Sequence, residues 1–230
     1  MRTRPVKIAP SILAYDLGNL REGLEIAQRG GADQIHLDVI DGRFAPNITF
    51  GPGTVKALRS RSGMKFDTHL MIADPQFYVD RFLDAGSDLL TFQAEVLDSA
   101  AFDALHAKIR SRGKEMGLAL KPETQLPRWA EERLGMLSTL LVLTVNPGFS
   151  GQTMDLGVLP KLEAMGKLVA TRGLDLDLEV DGGIDEENID QAARLGGNVF
   201  VAGAGVYAKP DPVGAIGALR QRALAVRGGN

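Results

Sequence analysis

Short apolar runs rich in Val, Ile and Leu recur from one end of the chain to the other, and the segments between them carry apolar residues at three- and four-residue steps. That alternation leaves few folds open. Runs of strand length separated by helical stretches are the pattern of βα units around a parallel sheet. Strands are expected near Val6 to Ala9, Gln34 to Asp38, Lys65 to His69, Leu89 to Phe92, Glu115 to Leu120, Thr139 to Thr144, Asp177 to Asp181 and Val199 to Ala202. Helices are expected over Leu17 to Arg29, Pro75 to Ala85, Ala101 to Arg112 and Leu156 to Arg172, several followed by glycines (Gly30-Gly31, Gly86, Gly113, Gly173) suited to a left-handed cap.

Eight strands, each followed by a helix, close as a (β/α)8 barrel, and 230 residues is close to the length at which one such barrel closes. The fold class expected is therefore α/β, with one domain over residues 1–230. An open doubly wound sheet is the alternative, but no GxGxxG opens a first helix and no GxxxxGK[ST] occurs.

The charge balance, 26 Lys and Arg against 29 Asp and Glu, is mixed in sign and close to neutral, which argues against a nucleic-acid or polyanion surface. Cysteine is absent, so disulfides and thiolate chemistry are excluded, and any metal must be held by N and O donors. MRTRPVKIAP has no long apolar run behind its basic residues, so neither a signal peptide nor a spanning helix is expected and the default location is cytoplasmic. The C-terminal RGGN is expected to be a frayed end.

A barrel gathers its chemistry at the C-terminal ends of its strands. Ser11 follows the first strand; His36 and Asp38 end the second in IHLDVIDG; His69 ends the third in FDTHLMI; Asp181 ends the seventh in LEVDGGI. Strand alternation puts His36 and Asp38 on one face and Leu37 and Val39 on the other. Any one of these residues alone is more simply a core histidine or a turn-capping aspartate. Four at one barrel end make an N2O2 set for one divalent ion, Zn, Fe(II), Mn or Co, and a poor one for Ca or Mg. An ion that takes up a carbonyl and a neighbouring hydroxyl oxygen acidifies the adjoining C–H by neutralising the enediolate charge, and Asp38 and Asp181 could remove and return a proton on opposite faces. That is epimerisation without a redox cofactor.

A second constellation is glycine-rich: Asn146 to Gln152 (NPGFSGQ), Asp181-Gly182-Gly183 and Ala202-Gly203-Ala204-Gly205. Loops after the last strands of a barrel commonly cradle phosphate with backbone N–H groups, and no Lys or Arg is then required. Met71 is expected to wall the site, His106 to be solvated surface, and Lys121 in ALKPET to be a minor candidate for a Schiff base.

The stretches IAPSILAYD, IHLDVIDGRFAPNITFGP, THLMI, VNPGFSGQ, and EVDGGI followed by VAGAGVY resemble, in order and spacing, the ribulose-phosphate 3-epimerase family over nearly the whole chain. The resemblance implies a TIM barrel that interconverts D-ribulose 5-phosphate and D-xylulose 5-phosphate at C3 with one divalent metal ion. It implies His36, Asp38, His69 and Asp181 as ligands, Asp38 and Asp181 as the acid/base pair, and Ser11 and His69 as substrate contacts. Gly148, Phe149, Ser150, Gly151, Gly182, Gly183, Gly203 and Ala204 fall in its substrate and phosphate loops. It also implies a homo-oligomer and a small-molecule ketose phosphate as the partner.

Three positions depart from the family pattern: Ala204 stands where serine is usual, Ser150 where PGFGGQ has glycine, and Gln93, in TFQAEV, where a histidine is typical. Gln93 and Met71 are expected to stand behind the ligands or the substrate. Because the departures surround the substrate and spare the ligands, other readings stay open: a 3-epimerase of a related ketose phosphate such as D-allulose 6-phosphate, a sugar-phosphate-binding barrel without chemistry, or a metal-assisted aldolase or decarboxylase.

Overall fold

In the computed structural model, which describes residues 4–227, eight parallel strands form one sheet in the order β1-β8-β7-β6-β5-β4-β3-β2. They are β1 (Lys7–Pro10), β2 (Gln34–Ile40), β3 (Lys65–Met71), β4 (Leu89–Gln93), β5 (Glu115–Leu120), β6 (Thr139–Leu143), β7 (Asp177–Asp181) and β8 (Val199–Ala202). The seam between β1 and β2 is closed by a parallel bridge from Ser11 to His36, and the Ile8 N–H donates to Asp33 Oδ2 at 2.8 Å. The helices are α1 (Leu20–Arg29), α2 (Pro52–Arg59), α3 (Pro75–Ala85), α4 (Ser99–Ser111), α5 (Arg128–Glu131), α6 (Leu159–Thr171), α7 (Ile189–Arg194), α8 (Ala204–Tyr207) and α9 (Pro212–Arg227). The stretch expected to fray, RGGN, lies outside the described residues from Gly228 onward.

Local chemistry explains where elements start and stop. Asp74 caps α3 by accepting from the Phe77 N–H, Pro75 opens its first turn, and Gly86 ends it at φ 102°. Asp98 accepts from the Ala101 N–H at 2.8 Å, so α4 begins at Ser99, two residues before the expected Ala101. The Gly18 N–H donates to Asp16 Oδ1, an Asx turn that holds Leu17 out of α1 and delays that helix to Leu20. Likewise Leu156–Val158 is a 3-10 turn organised by Asp155, and α6 starts only at Leu159.

The largest apolar cluster fills the layer between strands and helices, with Phe66, Phe82, Phe92, Phe102 and Phe200 fully buried in it. Each such side chain contributes roughly 1.5–3 kcal/mol by leaving water. The odd-numbered residues of β1, β5, β6 and β8 form separate small apolar groups, Ala9 with Val199 and Val201, and Ala119 with Leu141 and Leu143. Between these two groups, β2, β3 and β4 on one side and β7 on the other carry polar residues, of which Gln34, His36, Asp67, His69, Thr91, Gln93 and Glu179 are all buried.

Candidate active site and metal centre

β2 and β3 are two residues longer than expected, paired out to Ile40 and Met71. Asp38 and His69 therefore do not end their strands. They stand opposite each other in the register one step below the rim, with Ile40 and Met71 above them. The extra step is apolar because Ile40, Met71 and Ala45 pack together at the mouth.

One donor atom from each of His36, Asp38, His69 and Asp181 lies within 4.8 Å of all the others. His36 Nε2 is 3.3 Å from Asp38 Oδ1 and 3.8 Å from Asp181 Oδ2; His69 Nδ1 is 3.5 Å and 3.8 Å from the same two oxygens. An ion held at about 2.0–2.2 Å from tetrahedral donors brings them to roughly 3.3–3.6 Å of one another. Both ring nitrogens are fully buried and make no hydrogen bond, a state that costs free energy unless something else takes their lone pairs. Their other nitrogens are engaged: His36 Nδ1 lies 2.8 Å from Asp67 Oδ2, and His69 Nε2 lies 2.7 Å from the Gln93 amide. Two orphan imidazole nitrogens and two carboxylate oxygens at ligand spacing fit a divalent N/O-ligated ion, and this group could hold one.

The two aspartates are tuned apart. Burial pushes the Asp38 carboxyl up, but the neighbouring His36 ring, and after it His69, outweigh it and hold the group well below the usual carboxylate range. Ser11 Oγ also donates to Asp38 Oδ2 at 2.5 Å. Asp181, by contrast, is pushed up to about 6, first by burial and then by the neighbouring Asp38 carboxylate. A pair with one member readily ionised and the other readily protonated is suited to giving and taking a proton near neutrality.

A cavity of about 230 Å³ opens above this group. Ser11, Asp38, Met71, Gly148, Phe149, Ser150, Gly151, Asp181, Gly182, Gly183, Gly203 and Ala204 all line it. His36, His69 and Gln93 do not; they are fully buried and reach the cluster from beneath. The glycine loops are locked to each other. A Cβ at Gly183 would stand 2.3 Å from the Met154 nitrogen, and one at Gly205 2.2 Å from the Ile184 oxygen, so the loops after β6, β7 and β8 touch backbone to backbone. Thr144 Oγ1 donates to the Gly182 carbonyl at 2.6 Å and adds to this lock. No Lys or Arg lines the cavity among the described residues.

Two expectations need correcting. His106 is half-buried, with its ring stacked on Phe102 at 6.2 Å between centroids, because α4 turns it toward that aromatic. Lys121 is not among the cavity residues; its Nζ sits 4.1 Å above the Phe44 ring in a cation–π contact. Two residues of the site were not anticipated: Asp67 and Glu179, both buried, each two positions before a cluster member on the same strand. Glu179 Oε1 is 3.5 Å from His36 Nδ1, and burial together with the Asp67 charge holds its carboxyl well above the ordinary value. The signal that finds them is the strand period of two carried inward from His69 and Asp181.

The chain is 40% identical over 218 residues to a ribulose-phosphate 3-epimerase of Synechocystis sp., covering 95% of this chain and 94% of that one. It is 39% identical over 219 residues to the Bacillus subtilis protein of the same name, covering 94% and 98%. Among solved structures, the 3-hexulose-6-phosphate synthase of Salmonella typhimurium shares the fold at a TM-score of 0.72 and 21% identity, over 96% of this chain and 99% of that one. KGPDC from Streptococcus mutans in complex with D-R5P does so at 0.72 and 18%, over 96% and 98%. With the sequence profile of the ribulose-phosphate 3 epimerase family matching residues 7–207, the chain belongs to that family.

Proposed function

We propose that this chain epimerises a ketose phosphate at C3, interconverting D-ribulose 5-phosphate and D-xylulose 5-phosphate, with Asp38 and Asp181 exchanging the C3 proton. The observation that carries this reading is the cluster itself: two carboxylates from strands separated by β1 and β8, facing two orphan ring nitrogens at the floor of a sugar-sized cavity.

One aspartate takes the proton from C3 and the other delivers a proton to the opposite face, so the carbon inverts with no net oxidation. The Ser11 hydroxyl holds Asp38 Oδ2 and orients that carboxylate toward the cavity. Backbone N–H groups of Gly182, Gly183, Gly203 and Ala204, with Gly148 to Gly151 across the opening, provide the phosphate end without a cationic side chain. Four donors, His36, Asp38, His69 and Asp181, would hold one Zn, Fe(II), Mn or Co ion. The chemistry such an ion supplies when bound is neutralisation of the negative charge that develops on the sugar oxygens as the C–H bond breaks. The reading takes residues 1–230 as one catalytic domain working as a cytoplasmic homo-oligomer, supported by the family and by the cysteine-free composition. Among the described residues, no helix is long and apolar enough to cross a membrane.

A second reading, a 3-epimerase of a hexulose phosphate such as D-allulose 6-phosphate, draws on Gln93, Ser150 and Ala204, which differ from the family pattern around the substrate. Turnover of the ion-loaded protein on the pentulose and hexulose phosphates side by side separates the two. A preference for the pentulose is expected, and a large preference for the hexulose would replace the main reading by the second.

A further inference from the structure

The two histidines of the cluster are backed by groups of different charge. Behind His36 stands a carboxylate: Asp67 Oδ2, 2.8 Å from Nδ1, also accepts from Gln34 Nε2 at 3.0 Å. Only a ring that carries its proton on Nδ1 can donate to it, and the Nε2 lone pair is then left facing the cluster. Behind His69 stands a neutral amide. Gln93 ends β4, is fully buried, and lies opposite Ala119 of β5, a small residue. Its terminal amide is 2.7 Å from His69 Nε2 through Nε2, and its Oε1 is buried without a partner.

The two ends of an amide have nearly the same shape, and which one faces a neighbour follows from the hydrogen bond it must make. With the NH2 end facing His69, the imidazole has to accept at Nε2 and carry its proton on Nδ1. That proton then points at the space between Asp38 Oδ1, 3.5 Å away, and Asp181 Oδ2, 3.8 Å away, and Nδ1 has no lone pair for an ion. With the carbonyl end facing His69, Oε1 accepts the Nε2–H and Nδ1 is free to coordinate. Only the second orientation fits a four-donor site.

We propose that Gln93 is a positioning residue: its amide oxygen accepts the His69 Nε2–H and commits Nδ1 to the ion, and its neutrality, against the anionic Asp67 behind His36, makes His69 the weaker histidine ligand. This inference rests on the four-donor site proposed above. A carboxylate behind a ligating histidine raises its basicity, and such partners commonly govern affinity about 10–100-fold. Asp67 supplies that charge on one side; Gln93 supplies the orientation without the charge on the other.

The test uses the full chain loaded with Zn(II). Affinity is read by competition with a chromophoric chelator, and the His69 tautomer by two-bond proton–nitrogen correlation on histidine-labelled protein. In the parent, His69 is expected to carry Nε2–H and to coordinate through Nδ1. Gln93→Leu, similar in size and without an acceptor, should weaken Zn(II) binding about 10–100-fold and remove the single tautomer. Gln93→Glu should bind Zn(II) more tightly than the parent and keep Nε2–H on His69. A proton on Nδ1 of His69 in the loaded parent would overturn the proposal, as would Gln93→Leu binding within twofold of the parent or Gln93→Glu binding more weakly. Should the leucine variant fail to fold, judged by melting of the ion-free protein, the parent tautomer and the glutamate variant still decide. A parent that binds no Zn(II), Fe(II), Mn(II) or Co(II) would instead bring down the four-donor site itself, a separate result from a parent that binds and a leucine variant that binds equally.

Discussion

Asp177, Glu179 and Asp181 stand two residues apart on β7, yet the barrel surrounds the three carboxylates differently from one end to the other. At the closed end, Asp177 accepts from Arg4 Nη1 at 2.5 Å, Lys7 Nζ at 2.7 Å and Asn198 Nδ2 at 2.8 Å. Its neighbours there follow the same rule: Lys65 pairs with Glu115, Arg59 and Lys114 with Asp88, and Arg220 with Asp33. At the mouth, Asp181 faces only imidazole nitrogens and another carboxylate, and no Lys or Arg lines the cavity among the described residues. Glu179, between them, is buried with neither oxygen hydrogen-bonded. Negative charge is matched where the barrel needs stability and left unmatched where a cation and a reacting sugar would arrive. The difference lies in the surroundings, since the strand offers the same side-chain type at all three levels.

This contrast can be broken by substitution at each end. The largest effect is expected at the mouth, where Asp38→Asn or Asp181→Asn should lower turnover by at least about a hundredfold with the fold intact. A near-parental rate in either variant would remove that residue from proton transfer. His36→Ala should act through the ion: metal content after gel filtration is expected to fall, with affinity reduced by more than about tenfold. Full activity in a His36→Ala protein shown to hold no metal would contradict the four-donor scheme.

The smallest effect belongs to the closed end, and it should be one of stability. Burial pushes the Asp177 carboxyl up, but the hydrogen bonds from Lys7 and Asn198 and the Lys7 charge bring it below the usual carboxylate value. A carboxylate depressed in the folded state contributes stability above its unfolded pKa of about 3.9, and that contribution is lost as pH falls through the lower folded value. Asp177→Asn should therefore cost about 1–3 kcal/mol at pH 7, as expected for lost hydrogen bonds to a charge, and the two melting curves should converge as the pH is taken below about 3. Turnover at neutral pH should stay at the parental level. A variant with parental stability and impaired turnover would erase the distinction between the two ends.

The barrel was legible because hydrophobic periodicity survives any local detail, and the cluster because histidine and aspartate two residues apart on an apolar run have little other reason to coincide. What was not legible depends on contacts between elements. Nothing in IHLDVIDG says that β2 continues past Asp38; it does so because Ile40 pairs with Met71 on β3. The late start of α1 follows from the Asp16 turn, which competes with the helical propensity of Leu17. Asp67 and Glu179 carried the required signal, a period of two running inward from recognised residues, but their partners across the axis lie on other strands. Gln93 was visible as a departure from pattern, and its contact with His69 emerges only when β3 and β4 are placed side by side.

The most direct test of the central claim, that Asp38 and Asp181 exchange a proton at C3 of a ketose phosphate, is proton NMR of the ion-loaded protein with D-ribulose 5-phosphate in deuterated water. Loss of the C3 hydrogen signal together with the appearance of D-xylulose 5-phosphate deuterated at C3 is the expected result. Conversion to the epimer with the original hydrogen retained at C3, or no reaction at C3 with the ion confirmed bound, would contradict it.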